Sequence, residues 1–339
     1  MMKKKSKVSK NHYVPVMYLR NFSQLTEKGQ ILIAKATSPN EIRKIFRKQG
    51  LIYAFDKKEP NLVCFSPLKI KSTCFSHDLY GEHTESYLKK LEDQFGEEID
   101  KIVETMNNVA VGISSMEFVD ISLLKLFKFI TAQTMRSLVF KNSFQKDIGF
   151  VKSQTKDQYF GSIFHLLFLN QNKKPSIEFI KRWQSRFIED NRLNGMFNKF
   201  QMTLLANYTD IPFITSDCPA IYNHIWFFPS VLPNGDTYMS MITDELATII
   251  MPVHPRIIAI INNYANNREK IQFNQVDLYN VHVNYVKKLN QLIYNFADRF
   301  IFSSENNTEI LNTLDLNQKN SYPDYCMLDK IMKKRRESS

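Results

Sequence analysis

The stretch FITSDCP (residues 213–219) runs four residues of strand character into an acid, a cysteine and a proline. A strand that ends on Ser216 and Asp217 carries two oxygen-bearing side chains to the end of a sheet. Pro219 then biases Cys218 towards extended backbone and fixes the direction of exit. Sheet ends followed by ordered turns are common places for sites, and there Asp217 would be a metal ligand or an acid–base group. The competing reading is an Asx-turn, with the carboxylate bonded to nearby amides.

Gln133 and Arg136 lie at i and i+3 of the most apolar helical stretch, so they share a face. Buried on such a helix they need partners. A bidentate pair between Arg136 and Asp217 is the expected solution, with Gln133 orienting what remains. That pair is either a structural tie between helix and sheet or the anchor for a phosphate, a carboxylate or a base. Glu85 and Glu92, seven residues apart on one helical face, are placed to hold a metal or share acid–base work; the alternative is a solvated face. His12, crowded by Tyr13, Pro15 and Tyr18, is a candidate acid or base, or else a donor to a backbone carbonyl.

Other signatures are missing. His77 and His83 flank a turn without zinc spacing. No P-loop, G-x-G-x-x-G, G-x-S-x-G or kinase set occurs, which excludes the commonest nucleotide-handling and serine-hydrolase classes. Nor does an Asp precede Glu-x-Lys on a strand hairpin, as a restriction-type nuclease would require.

The elements that must position these residues follow from periodicity. A short amphipathic helix is predicted after Pro15, then antiparallel strands from QILIAKA (30–36), GLIYAFD (50–56) and NLVCFS (61–66). Leu88, Leu91, Phe95, Ile99, Ile102 and Met106 predict a helix from about residue 82. A long buried helix follows over 116–144, and further helices are expected near 159–169 and 176–200. Strand character returns in MTLLANY, PFITS, ATIIMPV and RIIAIINN, with a turn at PNGD (233–236). A last helix is expected over about 276–300, then IFSS as a strand. The order predicts an α+β fold: short N-terminal strands, a central helical cluster with one long buried helix, then a mostly antiparallel sheet and a C-terminal helix. Residues 1–10 read as a basic tail, 11–304 as one domain, and 305–339 as an extension ending in a second basic tail.

The 339 residues include 26 Phe and 15 Tyr, ample for a core, but only 9 Gly. The net charge of +11 is concentrated at the ends. Residues 1–10 hold five lysines and no acid, and residues 330–339 hold five bases against Glu337. Such tails attract polyanions without reading sequence, so nucleic acid is the partner they suggest; solvated ends are the plainer reading. No apolar region follows the first lysines, and no run of 18 apolar residues occurs. With four scattered cysteines, a soluble cytoplasmic protein with free thiols and no membrane partner is expected.

The same residues carry a resemblance. HYVPVMYLRNFS, Glu85 and Glu92, QTMR, and FITSDCP followed by MPVHP resemble an uncharacterised bacterial family, the domain of unknown function 4238. Its marks are an opening H-Y-V-P and a later S-D-x-P. The likeness is ordered and spans roughly residues 11–304. The closing stretch with Asn290, Ala297, Arg299 and IFSS is similar to the family's last helix and strand. The resemblance implies that His12, Glu92, Gln133, Arg136, Ser216 and Asp217 form one constellation in a cytoplasmic bacterial protein, and it supplies no reaction. Cys218 stands where the family pattern resembles a polar residue such as Asn, which would alter or weaken specificity if that side chain met a substrate.

Two functions follow as expectations. In one, the chain is a metal-dependent hydrolase acting on phosphodiesters, nuclease-like and acting in defence against mobile DNA. Glu92 and Asp217 would hold Mg²⁺ or Mn²⁺, Arg136 would stabilise developing charge, His12 would be acid or base, and Gln133 and Ser216 would complete the site. In the other, the chain is a non-catalytic ligand- or partner-binding module, and the same polar residues are a buried structural network. A subunit of a larger assembly is a third reading.

Overall fold

The computed structural model describes residues 10–59, 64–77, 82–110, 122–136, 200–231, 237–263, 278–280 and 283–317. In chain order the elements begin with β1 (Lys10–His12), α1 (Val16–Arg20), β2 (Gln24–Leu25), α2 (Glu27–Ile33), α3 (Pro39–Gln49) and β3 (Gly50–Asp56). Then come β4 (Ser66–Lys69), a 3₁₀ turn (Ile70–Ser72), β5 (Phe75–His77), α4 (Glu82–Ala110) and α5 (Leu123–Arg136). The second half holds β6 (Phe200–Ala206), β7 (Thr215–Ser216), β8 (Ile221–Val231), β9 (Thr237–His254) and β10 (Ile257–Asn263). It closes with β11 (Leu278–Asn280), α6 (Val283–Phe296), β12 (Phe300–Ser303) and α7 (Thr308–Asn312). This is a mixed α+β fold.

One sheet has the order β11-β6-β10-β9-β8, antiparallel except for the parallel β11–β6 pair. A second has the order β2-β3-β12-β7, with β4 also on β3, and β1 pairs with β5 in a small third. Strand alternation explains how helices cover both faces of the first sheet. Met202, Leu204 and Ala206 of β6 pack into the same core as Ile257, Ala259 and Ile261 of β10, where α1, α4 and α5 supply Tyr18, Phe95 and Phe129. Leu205 and Ile258 face the opposite way, into a second core with Val286, Leu289 and Ile293 of α6 and Ile310 of α7. Strands apolar on both sides are what a sheet covered on both faces requires. The helix predicted from residue 82 is α4, with Leu88, Leu91, Phe95, Ile99 and Ile102 buried.

Several expectations need correcting. QILIAKA is not a strand: residues 27–33 form α2, because Thr26 accepts the Gly29 N–H as an N-cap and Glu27 sits in the first turn. Ile31 and Leu32 of that run stay exposed. PFITS pairs only through Thr215 and Ser216, because the Phe213 N–H goes to the Pro255 carbonyl and the Ile214 N–H to the Asn290 side chain. The last helix starts at Val283 rather than 276, with Leu278–Asn280 drawn into the sheet beside β6. The helix expected near 159–169, that expected over 176–200 apart from Phe200, which begins β6, the flanks of the 116–144 helix, the PNGD turn and both tails lie outside the described residues. Among the described residues no helix is long and apolar enough to cross a membrane.

Tyr18 ties the two larger sheets. Its hydroxyl donates to the Pro252 carbonyl at 2.5 Å and lies 2.6 Å from Thr215 Oγ1, so with its own proton spent it must accept from Thr215. Tyr18→Phe should therefore cost about 1–3 kcal/mol, because two buried partners are orphaned with almost no change in volume. Urea unfolding checks this, and an unchanged midpoint would mean the sheets are held elsewhere.

Candidate functional site

The segment His12–Pro15 is the hub from which the polar constellation is assembled. β1 pairs with β5, and the Tyr13 N–H donates to the Cys74 carbonyl at 3.0 Å, which holds the His12 and Tyr13 carbonyls against α5. Arg136 donates from Nη2 to the His12 carbonyl (2.7 Å) and from Nη1 to Glu92 Oε1 on α4 (2.8 Å). One turn earlier on α5, Gln133 Nε2 donates to the Tyr13 carbonyl at 2.8 Å. The i, i+3 spacing thus does what the sequence implies, but its targets are consecutive carbonyls. The arrangement also fixes the orientation of the Gln133 amide: only its NH₂ can satisfy Tyr13, which leaves Oε1 buried without a partner among the described residues.

The expected pairing of Arg136 with Asp217 does not form. Asp217 Oδ1 accepts the Asp298 N–H (2.9 Å), and Oδ2 accepts the N–H groups of Arg299 (2.9 Å) and Phe300 (3.0 Å). Its own N–H donates to the Phe300 carbonyl at 3.1 Å. The carboxylate therefore organises the turn from α6 into β12, and the anion preference of three consecutive amides makes this favourable. The local turn falls to Ser216, whose Oγ accepts the Cys218 N–H at 3.1 Å. Asn290 latches the preceding residues, accepting from Ile214 N–H and donating to the Pro212 carbonyl.

Lys57, at the exit of β3, holds the same turn from the other side. Its Nζ donates to the carbonyls of Tyr294 (2.7 Å) and Ala297 (2.8 Å) at the C-terminal end of α6, where helix carbonyls lack partners, and lies 4.5 Å from the Tyr294 ring centre. Burial pulls its amine down to about 8, against the opposing pull of the Asp217 charge. Burial likewise pushes the Asp217 carboxyl up to about 6, although the three amide bonds favour its charged form. The Tyr13 hydroxyl bonds the Cys74 thiol and feels the Asp217 charge, and burial drives that phenol upward. Tyr13 therefore links the Arg136–Gln133 half of the constellation, through its carbonyl, to the Asp217 half, through its ring.

His12 is half-exposed, with Nε2 3.3 Å from the Lys71 carbonyl and its ring 6.1 Å from that of Phe75. The proposed metal pair finds no support in this donor geometry: Glu92 binds a guanidinium, and both oxygens of Asp217 bind amides. Among the described residues no group of three or more His, Cys, Asp or Glu could hold a metal ion. Glu85 lies on α4, but its side chain is outside the described residues.

A family model described as "Protein of unknown function (DUF4238)" matches residues 10–307. The chain belongs to the DUF4238 family. No curated protein and no solved structure matches it. The matched span opens on β1 and closes beyond β12, so the hub and the turn that Asp217 organises both fall inside the DUF4238 region.

Sequence reasoning missed Tyr13, Tyr18, Cys74 and Lys57: the role of Lys57 depends on strand pairing that brings residues 53–57 beside 299–303, and that of Tyr13 and Cys74 on the pairing of β1 with β5. Cys74, with φ of 54°, is a left-handed non-glycine residue that gave no sequence signal.

Removing Glu92 would leave the Arg136 charge buried, so Glu92→Gln should cost roughly 3 kcal/mol. A Glu92→Gln/Arg136→Met double variant should recover part of that loss in a double-mutant cycle read by chemical denaturation, and strict additivity would mean the pair is not coupled.

For Asp217, the folded carboxyl near 6 lies above its ordinary 3.8, so the folded chain keeps a proton the unfolded chain has released. The stability contributed by this group is full below about pH 4 and is lost as pH rises through about 6. A carbon-detected NMR titration should find its midpoint near 6. The stability advantage of wild type over Asp217→Asn should shrink from pH 5 to pH 7; an advantage that grows would reverse the assignment.

Proposed function

We propose that this chain is a non-catalytic binding module whose polar constellation is a structural network, and that its partner is a polyanion, with nucleic acid the class its charge distribution suits. The observation that carries the reading is closed packing. Gln133, Arg136, Ser216 and Asp217 are 1%, 2%, 0% and 3% exposed, and each bonds backbone of another segment or of the local turn. A phosphodiesterase site needs its acids and cations to converge on a wet cleft where a substrate phosphate fits. Here the carboxylates of Glu92 and Asp217 are spent on a guanidinium and on three amides. The free thiols of Cys64, Cys74 and Cys218 suit a reducing, cytoplasmic setting.

The test is incubation with Mn²⁺ or Mg²⁺ and labelled single- and double-stranded DNA and RNA, beside an Asp217→Asn variant of confirmed fold. The expected result is intact nucleic acid, with salt-dependent binding by both proteins. Metal-dependent cleavage by wild type that the variant loses would overturn this reading in favour of a hydrolase.

A further inference from the structure

Two stretches of the folded body carry bases and no acid. Residues 42–55 and 64–77 hold Arg43, Lys44, Arg47, Lys48, Lys69 and Lys71 and not a single acid. The fold places these two stretches side by side. α3 runs through Gln49 directly into β3, and Leu51 of β3 lies opposite Lys69 of β4 in antiparallel register. The last turn of α3, with Arg47 and Lys48, therefore ends beside Lys69 and the 3₁₀ turn that carries Lys71.

All four of these side chains are exposed, and none forms an ion pair among the described residues. By contrast, Arg43 and Arg20 face α4, where they meet Asp93 at 3.5 Å and Asp100 at 2.9 Å. Four uncompensated cations on adjoining elements repel one another at some cost to folding, and a bound polyanion would relieve that repulsion. The N-terminal chain enters at the same place: Lys10 pairs with His77 on β5, and the His12 ring nitrogen approaches the Lys71 carbonyl.

We infer that the surface formed by the end of α3, β4 and the 3₁₀ turn is a docking face for the phosphate backbone of a nucleic acid. This rests on the polyanion-binding reading above and gives it a site in the folded body. The residues between the cations favour nucleic acid over a lipid surface. Ser66, Pro67 and Ser72 are exposed there, whereas the exposed large apolar side chains Ile31, Leu32, Tyr208 and Tyr285 belong to other elements, so the face offers nothing to insert into a bilayer.

The experiment is fluorescence anisotropy of the full chain with labelled 20-nucleotide DNA and RNA, from about 50 to 300 mM salt. Three variants run alongside: Arg47→Gln/Lys48→Gln/Lys69→Gln/Lys71→Gln on the face, Lys3→Gln/Lys4→Gln/Lys5→Gln/Lys7→Gln in the tail, and Lys287→Gln/Lys288→Gln on α6 as control. The face variant should bind about ten-fold or more weakly, with a log–log salt slope reduced by roughly two to four, and the control should match wild type. Melting temperatures no lower than that of wild type show that the fold is intact. Wild-type binding that the face variant retains in full and the tail variant loses would overturn this inference and leave the polyanion reading standing. No binding by wild type at the lowest salt would overturn both. Binding to vesicles of phosphatidylserine and phosphatidylcholine but not to nucleic acid, sensitive to the face variant, would reassign the face to membranes.

Discussion

Three consecutive amides, those of residues 298, 299 and 300, converge on the Asp217 carboxylate, and much of the architecture depends on this clasp. The turn it organises delivers β12 into the sheet between β3 and β7. Lys57 draws in the carbonyls that precede the same amides, so the turn is gripped at its donors by an acid and at its acceptors by a base. Burial opposes charge on both groups, and the backbone dipoles aimed at them oppose burial. The favourable geometry is retained although each ion alone would be costly to bury. A carboxylate satisfied by fixed amides is a different object from one that awaits a metal, even though the residue type is the same.

The network reaches the N-terminal segment through Tyr13, whose carbonyl takes Gln133 and whose ring lies by Cys74 and Asp217. The residues expected to form one constellation fall into two hydrogen-bonded clusters joined by one tyrosine. That explains why the charged and polar types gather at element ends without opening a cleft. A cluster of solvent-facing cations lies elsewhere, on the end of α3, on β4 and on the 3₁₀ turn.

Much of this was legible in the chain. Short, near-continuous apolar runs such as RIIAIINN and GLIYAFD are strands with both faces covered, and the spacing from Leu88 to Ile102 marks a helix unambiguously. The i, i+3 relation of Gln133 and Arg136 also holds. Their partners were not legible, because backbone carbonyls are present at every residue and give no signal by type. The acid chosen for Arg136 was Asp217 when the nearer solution was Glu92 on the adjoining helix. QILIAKA misled because its apolar residues face solvent on α2, where a single capping threonine outweighs β-forming composition. Lys57 and Cys74 depend on pairing between distant strands, which no local window contains.

The position of β12 has a further consequence for how the chain is made. Residues 300–303 fill an interior place in a sheet whose neighbouring strand, β3, is complete by residue 56, and the bonds to Asp217 span 81 to 83 residues. During vectorial synthesis β3 therefore leaves the ribosome with one edge unfilled and must wait for more than two hundred residues before its partner emerges. The N-terminal half spends translation with an open edge, which is the circumstance in which a nascent chain needs shielding by a holdase. The Asp217 clasp cannot form until residues 298–300 have emerged.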